Sequence, residues 1–144
     1  MNPPLQPGSG VSNFRISPDG ARVVYTADQD NPGTPEVYSV PVVDCGELHS
    51  SELYATVEIT AFDSTYPVDD ELFNWVNARC EEQFSAYVGE PYEDSRYWIE
   101  VFYPTEDGWD ENDRTGLCTV VLVDQNLDTR PSLGSARGWG ERAA

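Results

Sequence analysis

Leu72, Val76, Cys80, Phe84 and Tyr87 recur at spacings of four, four, four and three residues, which places them along one face of an α-helix. Asp69 and Asp70 suit the positive N-terminal end of such a helix, and Gly89 with Pro91 marks its stop. The stripe therefore predicts one helix over 69–88, and a lone amphipathic helix is stable only when other elements cover its apolar face. The surrounding sequence supplies them. Residues 52–59 alternate, with Leu53, Ala55, Val57 and Ile59 on one face; residues 98–103 read as another strand; residues 117–123 form a continuous apolar run suited to the centre of a sheet. The expected fold class is α+β, a small and mainly antiparallel sheet with one packed helix.

Upstream, residues 14–16, the turn Ser17-Pro18-Asp19-Gly20 and residues 21–26 predict a β-hairpin, since Pro fixes φ and Gly accepts positive φ. After a polar loop at 28–35, residues 36–42 alternate as a third strand. Four segments result: a flexible lead-in over 1–11, a three-stranded piece over 12–43, the α+β domain over 44–135, and a turn-rich tail over 136–144 that is expected to be flexible. The stretch leading into that tail is expected to be held by Leu127 and Leu133 alone.

Charge removes one class of function. Against 26 acidic residues stand eight basic ones, all arginine, for a formal net charge of -18. Such a surface repels phosphate backbones, so nucleic-acid binding is not expected. Hydrophobic residues at 39% and aromatics at 12% are enough to form a core. No run approaches the roughly 18 apolar residues of a membrane span, and the opening residues lack the basic and apolar regions of a signal peptide. Cys45, Cys80 and Cys118 are odd in number, so three single-bridge choices stay open and one thiol is left over.

Two resemblances emerge from these residues. Phe14-x-Ile16-Ser17-Pro18-Asp19-Gly20-x-x-Val23-Val24-Tyr25, followed by Glu36-Val37-Tyr38-Ser39-Val40, resembles one WD40-like propeller repeat of the TolB type. A propeller closes only with at least about four blades, and the motif does not recur downstream, so the segment reads as a remnant of a longer propeller or, as the alternative, a three-stranded sheet recruited to pack on the domain that follows. Cys45-Gly46-Glu47-Leu48-His49, Glu52, Tyr66-Pro67, Cys80-x-x-x-Phe84-x-x-Tyr87-Val88-Gly89, Tyr103-Pro104-Thr105-x-x-x-Trp109, Asp113-Arg114, Cys118 and Ser132-Leu133-Gly134-Ser135 are together similar to the septum-formation-related family of actinobacteria, over about residues 44–135. That resemblance implies a non-catalytic, extracytoplasmic interaction domain of a secreted or membrane-anchored envelope protein, tied to cell division, with an unidentified envelope partner. It also implies two bridges, of which one has lost its partner cysteine. Cys45–Cys80 is the pairing expected to survive, with Cys118 the alternative partner or else free.

Side chains capable of chemistry are few. His49 lies four residues after Cys45, but without a helix between them the two side chains are not expected to meet, and no oxyanion site is apparent. Cys45, His49, Cys80 and Cys118 amount to a Cys₃His ligand set for zinc that lacks the Cys-x-x-Cys knuckle. The acidic stretch over 106–113 misses the calcium-loop register. No cofactor is assigned. His49, Glu52, Trp98, Tyr103 and Trp109 are the candidate interaction residues, the aromatics among them competing with a role in the core. The alternatives to the envelope interaction domain are a propeller remnant acting through partner docking and a Cys₃His zinc domain.

Overall fold

The computed structural model describes residues 11–27 and 36–143, and the lead-in over 1–10 and the loop over 28–35 lie outside the described residues. The chain divides into two compact units, Met1–Val43 and Asp44–Ala144.

In the first unit β1 (Val11–Ile16), β2 (Arg22–Ala27) and β3 (Glu36–Pro41) form an antiparallel meander in that order. The turn between β1 and β2 is built as its residues dictate. Ser17 Oγ donates to Asp19 Oδ1 at 2.6 Å, the Gly20 amide donates to the Ser17 carbonyl at 2.8 Å, and Gly20 adopts φ 71°, a conformation nearly free of cost only for glycine. Tyr25 stacks on its cross-strand partner Tyr38, and Arg22 donates from Nε to Ser39 Oγ at 2.6 Å.

The second unit holds the α+β domain. β5 (Ser51–Glu58), β7 (Thr115–Val123) and β6 (Tyr97–Phe102) form an antiparallel sheet in the order β5-β7-β6, and β8 (Thr129–Arg130) adds to the end of β7. The apolar run is thus the central strand, as its composition predicted. A separate two-stranded ribbon pairs β4 (Leu48–His49) with β9 (Ser132–Leu133). α1 (Asp69–Val88) packs on the three long strands. Leu72, Val76, Cys80 and Phe84 of the stripe are fully buried, and Val88 rather than the half-buried Tyr87 completes it. Gly89 stops the helix at φ 86°, its amide donating to the Ser85 carbonyl at 2.9 Å.

Helix and sheet approach closely at one point. A Cβ on Gly116 would lie 2.8 Å from both Val57 Cγ2 and Val76 Cγ1, so only glycine leaves room there for the two valines. A little further along, Cys80 of α1 and Cys118 of β7 form a disulfide across 38 residues, with Cα atoms 5.3 Å apart and both residues fully buried. The expected Cys45–Cys80 pairing is corrected: Cys80 faces the sheet from the buried stripe, where the central strand presents Cys118, and Cys45 is a free thiol. Closing a loop of that length restricts the unfolded chain by about 4 kcal/mol in the entropy model.

The acidic stretch after Pro104 contains α2 (Glu106–Asp110), with Thr105 Oγ1 capping the Gly108 amide at 3.3 Å. Two further expectations are revised. Leu127 and Leu133 are both exposed, so they do not hold the C-terminal stretch. That stretch is instead fixed by Ala136, which is buried, and by α3 (Trp139–Ala143), where Trp139 meets Tyr97 edge-on and Gly138 donates to the Tyr87 carbonyl at 2.8 Å.

The last revision shapes the site. β5 does not keep one alternation along its length: its register against β7 shifts between Leu53 and Ala55, so Tyr54 is an extra residue, a β-bulge. Beyond the bulge Val57 faces the core as predicted, with Ile59 buried after it. Before the bulge the faces are exchanged, Leu53 being 45% exposed and Glu52 8% exposed.

Candidate functional site

The exchange of faces carries Glu52 into a polar pocket assembled from four parts of the chain. Cys45 sits in the turn before β4, His49 on β4, Tyr87 near the end of α1, and Ser132, Ser135 and Ala136 on and after β9. The pairing of β4 with β9 sets His49 directly opposite Ser132, and the Gly134 amide donates to the Cys45 carbonyl at 2.7 Å. Backbone pairing therefore fixes the turn, the ribbon and the C-terminal segment relative to one another.

Glu52 is the hub. Its Oε1 accepts from Tyr87 OH and from Ser135 Oγ, each at 2.5 Å, and its Oε2 accepts from the Ala136 amide at 2.7 Å. The Cys45 sulfur lies beside the same carboxylate, within 4.8 Å of one of its oxygens. Burial by itself would raise the pKa of Glu52, but the bonds from Ser135, Tyr87 and Ala136 outweigh it and hold the carboxyl below its ordinary range. Its neighbours shift the opposite way. Burial raises the Cys45 thiol, and the charges of Glu52 and Asp44 raise it further. Burial and the bond to Glu52 likewise raise Tyr87. Every side-chain polar atom that is buried among the described residues has a partner.

His49 Nδ1 lies 2.9 Å from the Glu47 carbonyl, which only accepts, so Nδ1 carries the hydrogen. The other nitrogen, Nε2, is 3.1 Å from Ser132 Oγ and 3.9 Å from Glu52 Oε2. One ligand atom each from Cys45, His49 and Glu52 lies within 4.8 Å of the others. The expectation that Cys45 and His49 would not meet is thus corrected: the turn over 44–47 folds back, its Gly46 and Glu47 amides both donating to Asp44, and delivers Cys45 beside the ribbon. Cys45 thus has both a basic neighbour in His49 and a carboxylate in Glu52, and the net shift of its thiol is upward, opposite to that of an activated thiolate.

The Cys₃His zinc set is not assembled, because Cys80 and Cys118 are bridged to each other in the core. The aromatic candidates also separate. Trp109 is a core residue at 1% exposure, its Nε1 donating to the Ser64 carbonyl at 3.0 Å and the Arg114 guanidinium covering its ring at 3.6 Å. That burial removes it from the interaction candidates. Tyr103 is half-buried edge-on to Phe73, and Trp98 is exposed on β6. Tyr87, Ser135 and Ala136 escaped the sequence reading as partners of Glu52, and Ser132 as partner of His49, although Tyr87, Ser132 and Ser135 belong to the family motif.

A search of curated proteins and a search of solved structures each returned no match. The family model described as septum formation matches residues 26–143, beginning within β2 and ending in α3. With most of its length matched, including every residue of the Glu52 pocket, the chain belongs to the septum-formation family.

Proposed function

We propose that this chain is a non-catalytic, extracytoplasmic interaction domain of an actinobacterial cell-envelope protein that acts in or near septum formation. The observation that carries the reading is the Cys80–Cys118 bridge, buried in the core between helix and central strand, because disulfides of this kind form and persist in oxidising compartments outside the cytosol. Two further features support it. Burial and the charge of Glu52 push the Cys45 thiol up, which suits a structural hub better than a nucleophile, and the net charge of -18 favours a protein or cell-wall partner over polyphosphate or anionic lipid. Among the described residues no helix is long and apolar enough to cross a membrane. Trp98, exposed on β6, is the first residue to test for partner contact.

The experiment is thiol titration with peptide mapping of protein purified without reductant from the compartment where the native chain accumulates. One reactive thiol at Cys45 and a Cys80–Cys118 cross-linked peptide are expected. Three free thiols in native protein would overturn the extracytoplasmic reading.

A further inference from the structure

We propose that Cys45, His49 and Glu52 form a three-ligand site for a zinc-class divalent ion, distinct from the Cys₃His set that the disulfide rules out. The donor set is one that zinc takes readily: thiolate sulfur, imidazole nitrogen and carboxylate oxygen, with a fourth tetrahedral position left for water. Ligand atoms around such an ion stand roughly 3.5 Å apart, given metal–ligand bonds of about 2.0–2.3 Å. The three atoms here already lie within 4.8 Å of one another, so a small contraction completes the cage.

Two details of the surroundings point the same way. His49 donates its Nδ1 hydrogen to the Glu47 carbonyl, the outer contact that fixes the ring and tautomer of metal-binding histidines, and this leaves Nε2 as an acceptor, 3.1 Å from Ser132 Oγ and 3.9 Å from Glu52 Oε2. The two oxygens of Glu52 are also unequally used. Oε1 is saturated by Tyr87 and Ser135, whereas Oε2 holds one backbone amide and faces His49. One oxygen anchors the carboxylate and the other is turned to the shared space.

Binding requires two local changes. The Cys45 thiol loses its proton to solvent as the sulfur–metal bond forms, and the Ser132 hydroxyl rotates off Nε2. Thiolate and carboxylate then balance the two charges of the ion.

The test uses the unreduced full chain with zinc alone, and cobalt(II) as the spectroscopic probe. One tightly held zinc per chain is expected by elemental analysis after dialysis. Cobalt should give a sulfur-to-metal charge-transfer absorption, which reports on Cys45 because it is the free cysteine. Cys45→Ser should abolish that absorption and weaken zinc binding by at least about 10-fold, the loss seen even when outer-shell partners are removed. His49→Gln should weaken it similarly. Glu52→Gln also disturbs the C-terminal segment, so the two other variants decide. Absence of stoichiometric zinc, or zinc bound with unchanged affinity in both Cys45→Ser and His49→Gln, would overturn the proposal and place any bound ion on the acidic surface.

Discussion

Glu52 shows how much one side chain can organise. Its carboxylate gathers donors from a helix and the C-terminal segment, and bonds to a buried charge are each worth about 1.5–3 kcal/mol. Glu52→Gln keeps the shape but removes the charge and converts one oxygen into a donor facing other donors. It should lower the unfolding free energy by about 2–3 kcal/mol at neutral pH, measured by denaturant titration. Folding lowers the pKa of Glu52, so the folded state holds its proton less tightly than the unfolded state. The carboxylate's stabilisation is therefore complete above its ordinary value of 4.5 and is lost as pH falls through the lower folded value. The gap between wild type and Glu52→Gln should shrink in acid, and a gap that widens there would contradict this account. The family motif carried Glu52 and His49 as candidates, but their convergence with Cys45 was not legible in the sequence. Whether residues four apart meet depends on a turn closed by bonds to Asp44, and such short-range backbone capture leaves no periodic trace.

At the scale of elements, the stripe on α1 and the apolar run of β7 were both readable because each has a period and a length that admit one structure. The failure on β5 is equally physical. Residues 52–59 alternate faithfully, yet the bulge at Tyr54 divides them into two runs of opposite facing, and an alternation pattern carries no mark of where a residue is skipped. The bridge followed a similar logic: three pairings were open by count, and only the packing of α1 on β7 singles out Cys80 with Cys118. That packing rests on Gly116. Gly116→Ala would set a methyl group 2.8 Å from branches of Val57 and Val76, and the overpacking should cost about 1–3 kcal/mol. Thermal unfolding would report it, and pairing Gly116→Ala with Val76→Ala should restore part of the loss. No such recovery would mean that the clash lies elsewhere.

For the molecule as a whole, the domain from Asp44 onward is closed by its C-terminal segment. The turn-rich tail was read without the partners that the fold gives it. Ala136 fills the core beside Phe84 and Val120, Gly140 leaves room for the Gly89 carbonyl, and Arg142 donates to the carbonyls of Ser135 and Arg137. Removing residues 136–143 deletes these contacts together with the amide that serves Glu52. It should lower stability by at least about 3 kcal/mol and open α1 to proteolysis, as limited digestion would show. Resistance equal to that of the full chain would show that the segment is dispensable. Because the Ala136 amide is made 84 residues after the carboxylate it serves, a chain emerging from the ribosome or a translocon can join Cys80 to Cys118 while Glu52 still awaits its last donors. The covalent staple thus comes within reach before the pocket can close, and a chain interrupted between the two events would be cross-linked yet incomplete.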